Sequence, residues 1–539
     1  MSVARKPLFM DASSSTPLLS EHWSEPPIRT AENDAISGGG QYSSDVDESL
    51  RDTTSDSKRR IGVSDGIALV LGSQIGSGIF SSPTLVALSA GSESAALFAW
   101  LTAGTLAWSC AACYIELSNH IPMNGGPQEF LAICFGDLYG FVAGWSCIFV
   151  AKPCSGAMLA LVLSDYLCDA AGLHPGESIV ERKLVAFCII LSTAFVNCLG
   201  NKQSNAITKL FLACKLVSVG FVLIMGLSVL MFPNWSKPTS PHTTTPTHGS
   251  EAPLRSFADA MLVAMWAYSG WETLSFVGGE VTNPERNIAI VINVSMAIVV
   301  SLFLLANVSY FVVLSFAGVV NSQTVGLTFS RHFLGDAGAA AYIIAICLSG
   351  IGSLNVKIFT AGRLTQAAAD RRFLPKILST VGHLDHEDDD KPREAGIWRG
   401  LVDSINRPVR YKDGTIPLSS IIFNTFLTMI YITVGEFADL VKFIGTVEYT
   451  TVFLTLMGLL RIRNGFKIHI RGSTRHAMPQ NPLWLIVVAS LAVVFMLLSS
   501  LSKHPLTGLG LALFSIAVSI FYKFVIQPNS RSEITEPLD

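Results

Sequence analysis

The sequence is poor in charged residues. Lys, Arg, Asp and Glu make up 14% of its 539 residues, whereas they make up about 25% of an ordinary soluble domain. The formal net charge is only −3, and nucleic-acid-binding proteins carry basic patches and an excess of Lys and Arg. This composition argues against a typical soluble domain and predicts no nucleic-acid partner.

Metal-binding motifs are also missing. The chain contains no HExxH pattern, which is the helical spacing typical of zinc peptidases. Cysteine occurs ten times, mostly inside apolar runs, where it behaves as a small hydrophobic residue. One CxxC pair, Cys110 and Cys113, lies in such a run without a second pair, which argues against a metal site. We therefore predict no metal, no cofactor and no enzymatic activity.

The segment before the first apolar run is long and polar. Residues 1–60 are rich in Ser, Thr, Asp, Glu, Gly and Pro, a composition typical of disordered tails. A cleavable signal peptide would place its apolar stretch near the start. We therefore expect a disordered cytoplasmic tail and no cleavable signal.

Long apolar runs are what the sequence has in abundance. Hydrophobic residues make up 50% of the chain, and its mean hydropathy is +0.47. A membrane-spanning helix needs about 20 predominantly apolar residues, and about twelve runs approach that length. The pattern predicts an all-α polytopic membrane protein with its membrane domain at residues 61–526. The predicted spans are 61–88, 94–118, 136–164, 183–200, 205–232, 255–279, 287–316, 338–369, 416–435, 438–460, 482–501 and 506–526.

Positive charge orients these spans. Lys and Arg concentrate in alternate connections, as in 461–475, and the other short connections carry few of them. The positive-inside rule then places both termini, including residues 527–539, in the cytoplasm. The outer loop at 233–253 contains the glycosylation sequon of Asn234. Cys168 is placed in another outer loop, either as a free thiol or in a disulfide with a partner chain.

The first predicted span is interrupted by Gly76-Ser77-Gly78. Glycine inside a helix costs about 1 kcal/mol relative to alanine. At membrane depth an unwound segment is tolerated only if it is buried in protein or lines a wet cavity. Its freed amides would begin a second half-helix, whose positive dipole end favours a carboxylate.

A second interruption falls in span six, at Ser269-Gly270. Alone, this pair is typical of close helix packing. Paired with the first break, it predicts two inverted five-span repeats at 61–232 and 255–460, followed by two extra helices at 482–526. The substrate site of such secondary transporters lies between the two broken helices.

The residues around both breaks resemble the L-type amino acid transporter family of the amino acid–polyamine–organocation superfamily. The polar amino-terminal tail is similar to that of fungal members, including methionine permeases. The resemblance covers about residues 61–524. The motifs that carry it are Gly76-Ser77-Gly78-Ile79-Phe80 with Pro83, Gly125-Gly126, Val196-Asn197-Cys198, Ala267-Tyr268-Ser269-Gly270-Trp271, Asn283-Pro284-Glu285-Arg286-Asn287-Ile288 and Gly362-Arg363-Leu364.

The resemblance implies a substrate site at the breaks and no catalytic residues. The substrate carboxylate is expected on the amides of residues 77–79 and its ammonium on carbonyls at Ile75 and 266–269. Trp266 is expected to close over the substrate from outside. Gln74 either reaches the substrate amino group or stabilises the unwound segment. The predicted substrate-binding residues are Gln74, Ile75, Gly76, Ser77, Gly78, Ile79, Trp266, Ala267, Tyr268, Ser269, Glu272 and Glu448.

Ionisable residues inside the spans each cost at least about 2.5–3.5 kcal/mol and need a reason. Lys215 resembles the family lysine that bridges spans one and eight, with a snorkelling lysine as the alternative. Glu272 and Glu448 stand where the family usually has uncharged polar residues. They favour polar or cationic substrate groups, or proton coupling, and Lys152 and Lys357 are candidate ion-pair partners.

These observations predict a secondary transporter in the plasma membrane that moves an L-amino acid by alternating access. A neutral substrate is expected, with large or sulfur-containing side chains as narrower candidates. A non-transporting amino acid sensor of the same fold is the alternative. A channel would need a continuous polar lining, and the polar breaks are isolated instead. Uniport, proton symport and exchange all stay open.

Overall fold

Helices dominate the computed structural model, which describes residues 61–76, 78–171, 179–198, 201–232, 253–322, 324–379, 417–464, 480–503 and 505–527. Those ranges contain no β-strand, only two isolated β-bridges. The first half contains α1 (Val63–Gln74), α2 (Gly78–Ala90), α3 (Glu93–His120), α4 (Pro127–Phe135), α5 (Asp137–Ser146), α6 (Lys152–Ala170), α7 (Ile179–Cys198) and α8 (Asn201–Met231). The second half contains α9 (Pro253–Ala267), α10 (Thr273–Phe276), α11 (Pro284–Val320), α12 (Val325–Asp370), α13 (Leu418–Val434), α14 (Phe437–Arg463), α15 (Leu483–Lys503) and α16 (Pro505–Phe521). A π-helical turn at Cys147–Ala151 joins α5 to α6, and another at Tyr522–Ile526 follows α16; single 3₁₀ turns occupy Gly278–Glu280 and Lys376–Ser379.

Every predicted span overlaps one of these helices, and the prediction of an all-α polytopic membrane protein is confirmed. Among the described residues, eight helices are long and apolar enough to cross a membrane, or nine if α1 and α2 form one bent span. The largest boundary difference is in span eight, because α12 begins at Val325 rather than at 338. Gly335 interrupts that helix with a φ of 64° and a ψ of −171°, which explains why the sequence pattern places the start beyond it.

The outer surface of α8 shows how the bundle meets lipid. Leu210, Val217, Ile224 and Met231 recur every seven positions and are 62, 68, 63 and 66% exposed. Residues at this spacing lie on one face of a helix. A continuous apolar stripe of this kind is uncommon on a protein surface in water, but it matches the hydrocarbon core of a bilayer.

The two broken spans lie at the centre of the bundle. Helix α2 packs against α9, and α1 packs against α11. Helix α3 contacts both α9 and α11, and α8 contacts both α11 and α12. Buried residues on α1 and α2 include Val70, Ile79 and Phe80, each 0% exposed. The breaks are therefore enclosed by protein, as unwound backbone at membrane depth requires.

One end of the bundle is fastened by hydrogen bonds and buried charge. The Ile61 amide donates to the Glu280 carbonyl at 2.9 Å, and the Thr282 amide donates to the Ile61 carbonyl at 3.0 Å. Removing one partner of a buried ion pair costs about 3–5 kcal/mol, so these contacts resist separation at this end. The ion pairs there are Arg363–Glu280 at 3.0 Å, Arg371–Glu129 at 2.7 Å and Arg463–Glu116 at 2.5 Å.

Candidate functional site

The first break separates α1 from α2. Ile75 leaves helical geometry with a φ of −79° and a ψ of 88°, and the two helix axes differ by 43°. Gly78 and Ile79 begin α2 and are buried. The first amides of a helix have no intrahelical acceptors, and the helix dipole there favours an anion. Ser77, the middle of the predicted motif, lies outside the described residues.

The second break follows α9. The chain turns at Gly270, which has a φ of 115°, a conformation that side-chain-bearing residues rarely adopt. The Ser269 amide donates to the Trp266 carbonyl at 3.0 Å, and the Thr273 amide donates to the Gly270 carbonyl at 3.1 Å. These short-range bonds replace the regular helical pattern. They leave carbonyl groups near the end of α9 outside a continuous helix.

The two breaks pack directly on each other. A Cβ atom built on Gly270 would lie 2.7 Å from the Ser73 hydroxyl oxygen, at the end of α1. A Cβ atom built on Gly78 would lie 3.0 Å from the Ala267 Cα atom, at the end of α9. Both distances are too short for an ordinary van der Waals contact. Glycine is therefore needed on both sides for the unwound segments to approach this closely.

Lys215 links the first break to α12. Its side chain is 1% exposed, and its ammonium donates to the Gly72 carbonyl and, at 2.6 Å, to the Ser353 hydroxyl. The Ser353 hydroxyl also lies 3.0 Å from the Ile75 carbonyl. The ammonium is thus held between spans one and eight rather than directed toward an interface. A carbonyl has two lone pairs, so Ile75 retains an acceptor site beside Ser353.

A cleft lies beside the second break. Residues of α3, the π-helical turn, the second break and α14 line it. The rings of Tyr114 and Trp271 meet edge to face with centroids 4.7 Å apart, and Phe276 and Tyr449 add apolar surface. Small-molecule sites typically combine apolar walls with a few polar groups. The cleft fits this description.

Three charged side chains line the cleft, namely Lys152, Glu272 and Glu448. The Lys152 Nζ atom lies 3.8 Å from Glu272 Oε1 and 3.8 Å from the centroid of the Phe276 ring, within cation–π range. Glu272 Oε2 accepts a hydrogen bond from the Gly270 amide at 2.9 Å. The Glu272 carboxylate therefore belongs both to the second break and to the cleft.

The structure shows which of the two candidate lysines forms the ion pair with Glu272. Lys152 is the nearby cation, while the Lys357 ammonium donates to the Ser155 hydroxyl at 2.7 Å. Lys357 does not line the cleft. Together with Glu448, these side chains form a group of two lysines and two glutamates whose formal charges sum to zero.

Gln74 and Trp266 have defined positions at the junction. The Gln74 Nε2 atom donates to the Tyr268 carbonyl at 3.1 Å, which ties the end of α1 to the second break. Gln74 Oε1 has no hydrogen-bond partner among the described residues. The Trp266 ring meets Phe437 edge to face, with centroids 5.3 Å apart. Trp266 thus connects the end of α9 to the start of α14.

The predicted residues fall into two groups. Ser269, Glu272 and Glu448 line the cleft. The other described members lie at or beside the junction of the breaks: Gln74, Ile75, Gly76, Gly78, Ile79, Trp266, Ala267 and Tyr268. The cleft residues that sequence reasoning missed include Tyr114, Cys147 and Tyr449. They look like ordinary apolar span residues, so no local sequence signal distinguishes them.

The predicted position of Cys168 is wrong. It lies inside α6 and is 2% exposed, rather than in an outer loop. Arg182 of α7 binds Asp165 at 2.5 Å and Asp169 at 2.9 Å next to it. The turn signals that end a helix come only after Ala170. The prediction from apolar length therefore ended this span too early. Asn234, the predicted glycosylation site, lies outside the described residues.

One further sequence pattern has no catalytic geometry in the structure. Gly62-Val63-Ser64-Asp65-Gly66 matches the GxSxG spacing, but it leads into α1, whereas the nucleophile motif needs a strand followed by a sharp turn. Within the described ranges, no group of three His, Cys, Asp or Glu side chains is arranged to hold a metal ion.

Comparison with known proteins agrees with this architecture. The amino acid permease family model matches residues 61–522. The b(0,+)-type amino acid transporter 1 of Rattus norvegicus is 28% identical over 493 residues, covering 90% of this chain and 92% of the relative. The cystine/glutamate transporter of Homo sapiens is 27% identical over 470 residues, covering 87% of this chain and 86% of the relative. The large neutral amino acids transporter small subunit 2 of Homo sapiens is 28% identical over 491 residues, covering 89% and 84%.

These relatives are named as transporters rather than enzymes. They confirm the resemblance to L-type amino acid transporters that the break motifs predicted, while the narrower likeness to fungal members stays a prediction. Because the family model spans most of the chain and the helices include several of membrane-crossing length, the protein is a multi-pass membrane protein that belongs to the amino acid permease family.

Proposed function

We propose that the protein is a secondary transporter that carries a neutral L-amino acid by alternating access. The observation that carries this proposal is the direct packing of two unwound segments, with Gly270 against Ser73 and Gly78 against Ala267. Such a junction offers amide donors and carbonyl acceptors in one enclosed place. The names of the relatives, which include amino acid transporters, support the substrate class.

The backbone of the substrate would be recognised by the backbone of the protein. Its carboxylate would accept hydrogen bonds from the amides of Gly78 and Ile79, together with Ser77. Its ammonium would donate to carbonyls of Ile75 and of residues 266–269, and Gln74 Oε1 is a further acceptor at the same junction. This arrangement would recognise only the groups that all α-amino acids share.

The side chain of the substrate would enter the cleft beside the second break. Aromatic walls formed by Tyr114, Trp271 and Phe276 favour a large apolar side chain. The Lys152–Glu272 pair is internally compensated, so it does not demand a charged substrate. We therefore favour a large neutral amino acid, including a sulfur-containing one, over a cationic one.

In alternating access, the junction would open to solvent at one of its two ends and then at the other. At one end the Trp266–Phe437 contact covers the second break, and at the other the Arg363–Glu280 pair fastens the bundle. We propose that α1–α2 and α9–α10 rock against the surrounding helices and open these ends in turn. Because Lys and Arg favour the cytoplasmic side of a membrane, we propose that the fastened end and residues 1–60 and 527–539 face the cytoplasm. We propose the plasma membrane as the location.

Uptake and binding by the purified, reconstituted chain test this proposal. Gly78→Trp places an indole where even a Cβ atom meets Ala267, so substrate binding and uptake should both be lost. Gly220→Trp is the matched control, because nothing lies within 4 Å of a Cβ built on Gly220. Binding that survives Gly78→Trp would refute the site. A parent protein that binds amino acids but moves none would be a sensor instead.

The substrate and the coupling mode need a second experiment. Uptake of one labelled neutral amino acid is measured in proteoliposomes, with each standard amino acid as competitor and at two external pH values. Stronger competition by large neutral and sulfur-containing amino acids is expected. Faster uptake at the lower external pH would indicate proton symport, and uptake that requires internal amino acid would indicate exchange.

A covalent partner is a separate matter. One relative carries "small subunit" in its name, which supports the idea of a partner chain. Burial of Cys168 in α6 means that its thiol must be uncovered before it can form an intermolecular disulfide. Non-reducing electrophoresis of the parent and of Cys168→Ser tests this link, and an adduct that persists in the variant excludes Cys168.

A further inference from the structure

A second cavity is separate from the breaks, none of whose residues line it. It has a volume of about 660 Å³. The residues that line it belong to α5, the segment after α12, α13 and the turn after α16. The membrane-crossing stretches that lead to it end at Asp370 and Ile526. Spans cover the hydrocarbon core and end near the lipid headgroups. The cavity therefore lies at the boundary between acyl chains and water.

Aromatic rings form its wall. Trp145 stacks on Phe149 with centroids 4.6 Å apart, and Phe149 meets Phe423 at 5.6 Å. Phe521 lies 5.4 Å from Trp145. The Trp145 indole nitrogen donates to the Phe373 carbonyl at 3.1 Å, so the ring is fixed. Tryptophan is enriched at membrane interfaces because it has an apolar body and a polar edge.

Two positively charged side chains line the same cavity. Arg372 and Lys376 are its charged lining residues, on the turn that follows α12. No acidic side chain is among the described residues that line the cavity. The cavity thus combines an apolar wall with positive charge at the headgroup level.

We propose that this cavity binds one phospholipid with an anionic headgroup. Its phosphate would lie near Arg372 and Lys376, and an acyl chain would follow the wall formed by Trp145 and Phe149. Basic pockets between transmembrane helices bind anionic headgroups in this way. The substrate junction takes no part in the proposal, so its outcome is independent of the proposed transport function.

Native mass spectrometry of the full chain in detergent tests the proposal, with phosphatidylglycerol and phosphatidylcholine as probes. Phosphatidylglycerol should bind at least about fivefold more tightly. Lys376→Gln should weaken that preference, and Val525→Trp should weaken it by filling a lining position without changing charge. Arg286→Gln is the charge-matched control, because Arg286 is exposed and lies outside this cavity.

Three results would overturn the proposal. Equal binding of the two lipids, or equal losses in Lys376→Gln and Arg286→Gln, would mean that no specific lipid site exists. Competition by glycerol 3-phosphate at equal concentration would mean that the phosphate alone is the ligand. Binding of phosphatidylglycerol only after removal of residues 528–539 would assign the cavity to this acidic tail, which carries Glu533, Glu536 and Asp539.

Discussion

Replacing Lys215 by methionine separates a structural lysine from one that takes part in transport. Methionine keeps an unbranched apolar stem and removes the ammonium, which donates to the Gly72 carbonyl and the Ser353 hydroxyl. A hydrogen bond to a charged group contributes about 1.5–3 kcal/mol. Burying an ammonium costs several kcal/mol, so apolar replacement of a buried charge is often nearly neutral. The midpoint of thermal unfolding should therefore change little.

Transport should respond differently. The ammonium joins α1 to α12, and these elements move relative to each other in the proposed cycle. In the proposed cycle the bonds form in only one of the two alternating conformations, while the ammonium stays buried in both, so its desolvation cost cancels from their ratio. Losing about 1.5–3 kcal/mol from that conformation then shifts the ratio about 10- to 150-fold. We expect initial uptake to fall by about that factor. Binding should be retained, because Lys215 does not contact the amides of Gly78 or Ile79.

The measurements are uptake into proteoliposomes, substrate binding to the purified protein and thermal unfolding in detergent. Lys523→Met, at an exposed lysine in the turn after α16, is the matched control and should behave like the parent. Uptake by Lys215→Met at the parental rate would refute the reasoning. A large drop in the unfolding midpoint together with lost binding would reduce Lys215 to a structural residue.

The other predictions concern the second break and the fastened end. Gly270→Ala should lower the free energy of unfolding by about 1–3 kcal/mol, because its φ is 115°, and an unchanged unfolding midpoint would contradict this. Glu272→Gln should raise the KM for uptake at least about threefold, since a neutral amide accepts more weakly than a carboxylate from the Gly270 amide; an unchanged KM would mean that this carboxylate does not shape the site. Arg363→Gln should cost up to about 3–5 kcal/mol by leaving the Glu280 carboxylate unpaired, and the double variant Arg363→Gln/Glu280→Gln should recover part of that loss; additive losses would show that the two side chains are not coupled.

Much of the fold follows from one-dimensional patterns. Apolar runs of bilayer length identify helices, because a spanning segment must satisfy its backbone internally. Glycine pairs identify the breaks, and the first break appears where the pattern places it, between Gln74 and Gly78. The position of Cys168 shows the limit of the method. Apolar length alone ended span three at 164, although the helix continues to Ala170.

The sequence could not predict which side chains contact each other. Lys152 and Lys357 were equal candidates for Glu272, since both lie in spans and nothing in their local sequence separates them. The π-helical turn at Cys147–Ala151 precedes Lys152, and the resulting helix rotation is visible only in three dimensions. Likewise, the hydrogen bond from Gln74 to the Tyr268 carbonyl joins residues 194 positions apart.

The sequence by itself determined the class of protein, the approximate extent of most of its spans, and the two breaks at Gly76–Gly78 and Ser269–Gly270. Those properties depend on local hydropathy and backbone preference, which each segment carries alone. Tertiary structure decided which carboxylate meets which lysine, which aromatic rings enclose the cleft, and how closely the two breaks approach. These depend on the rotation and packing of helices that are distant in the chain, and a shift of one residue around a helix turns a side chain by about 100°.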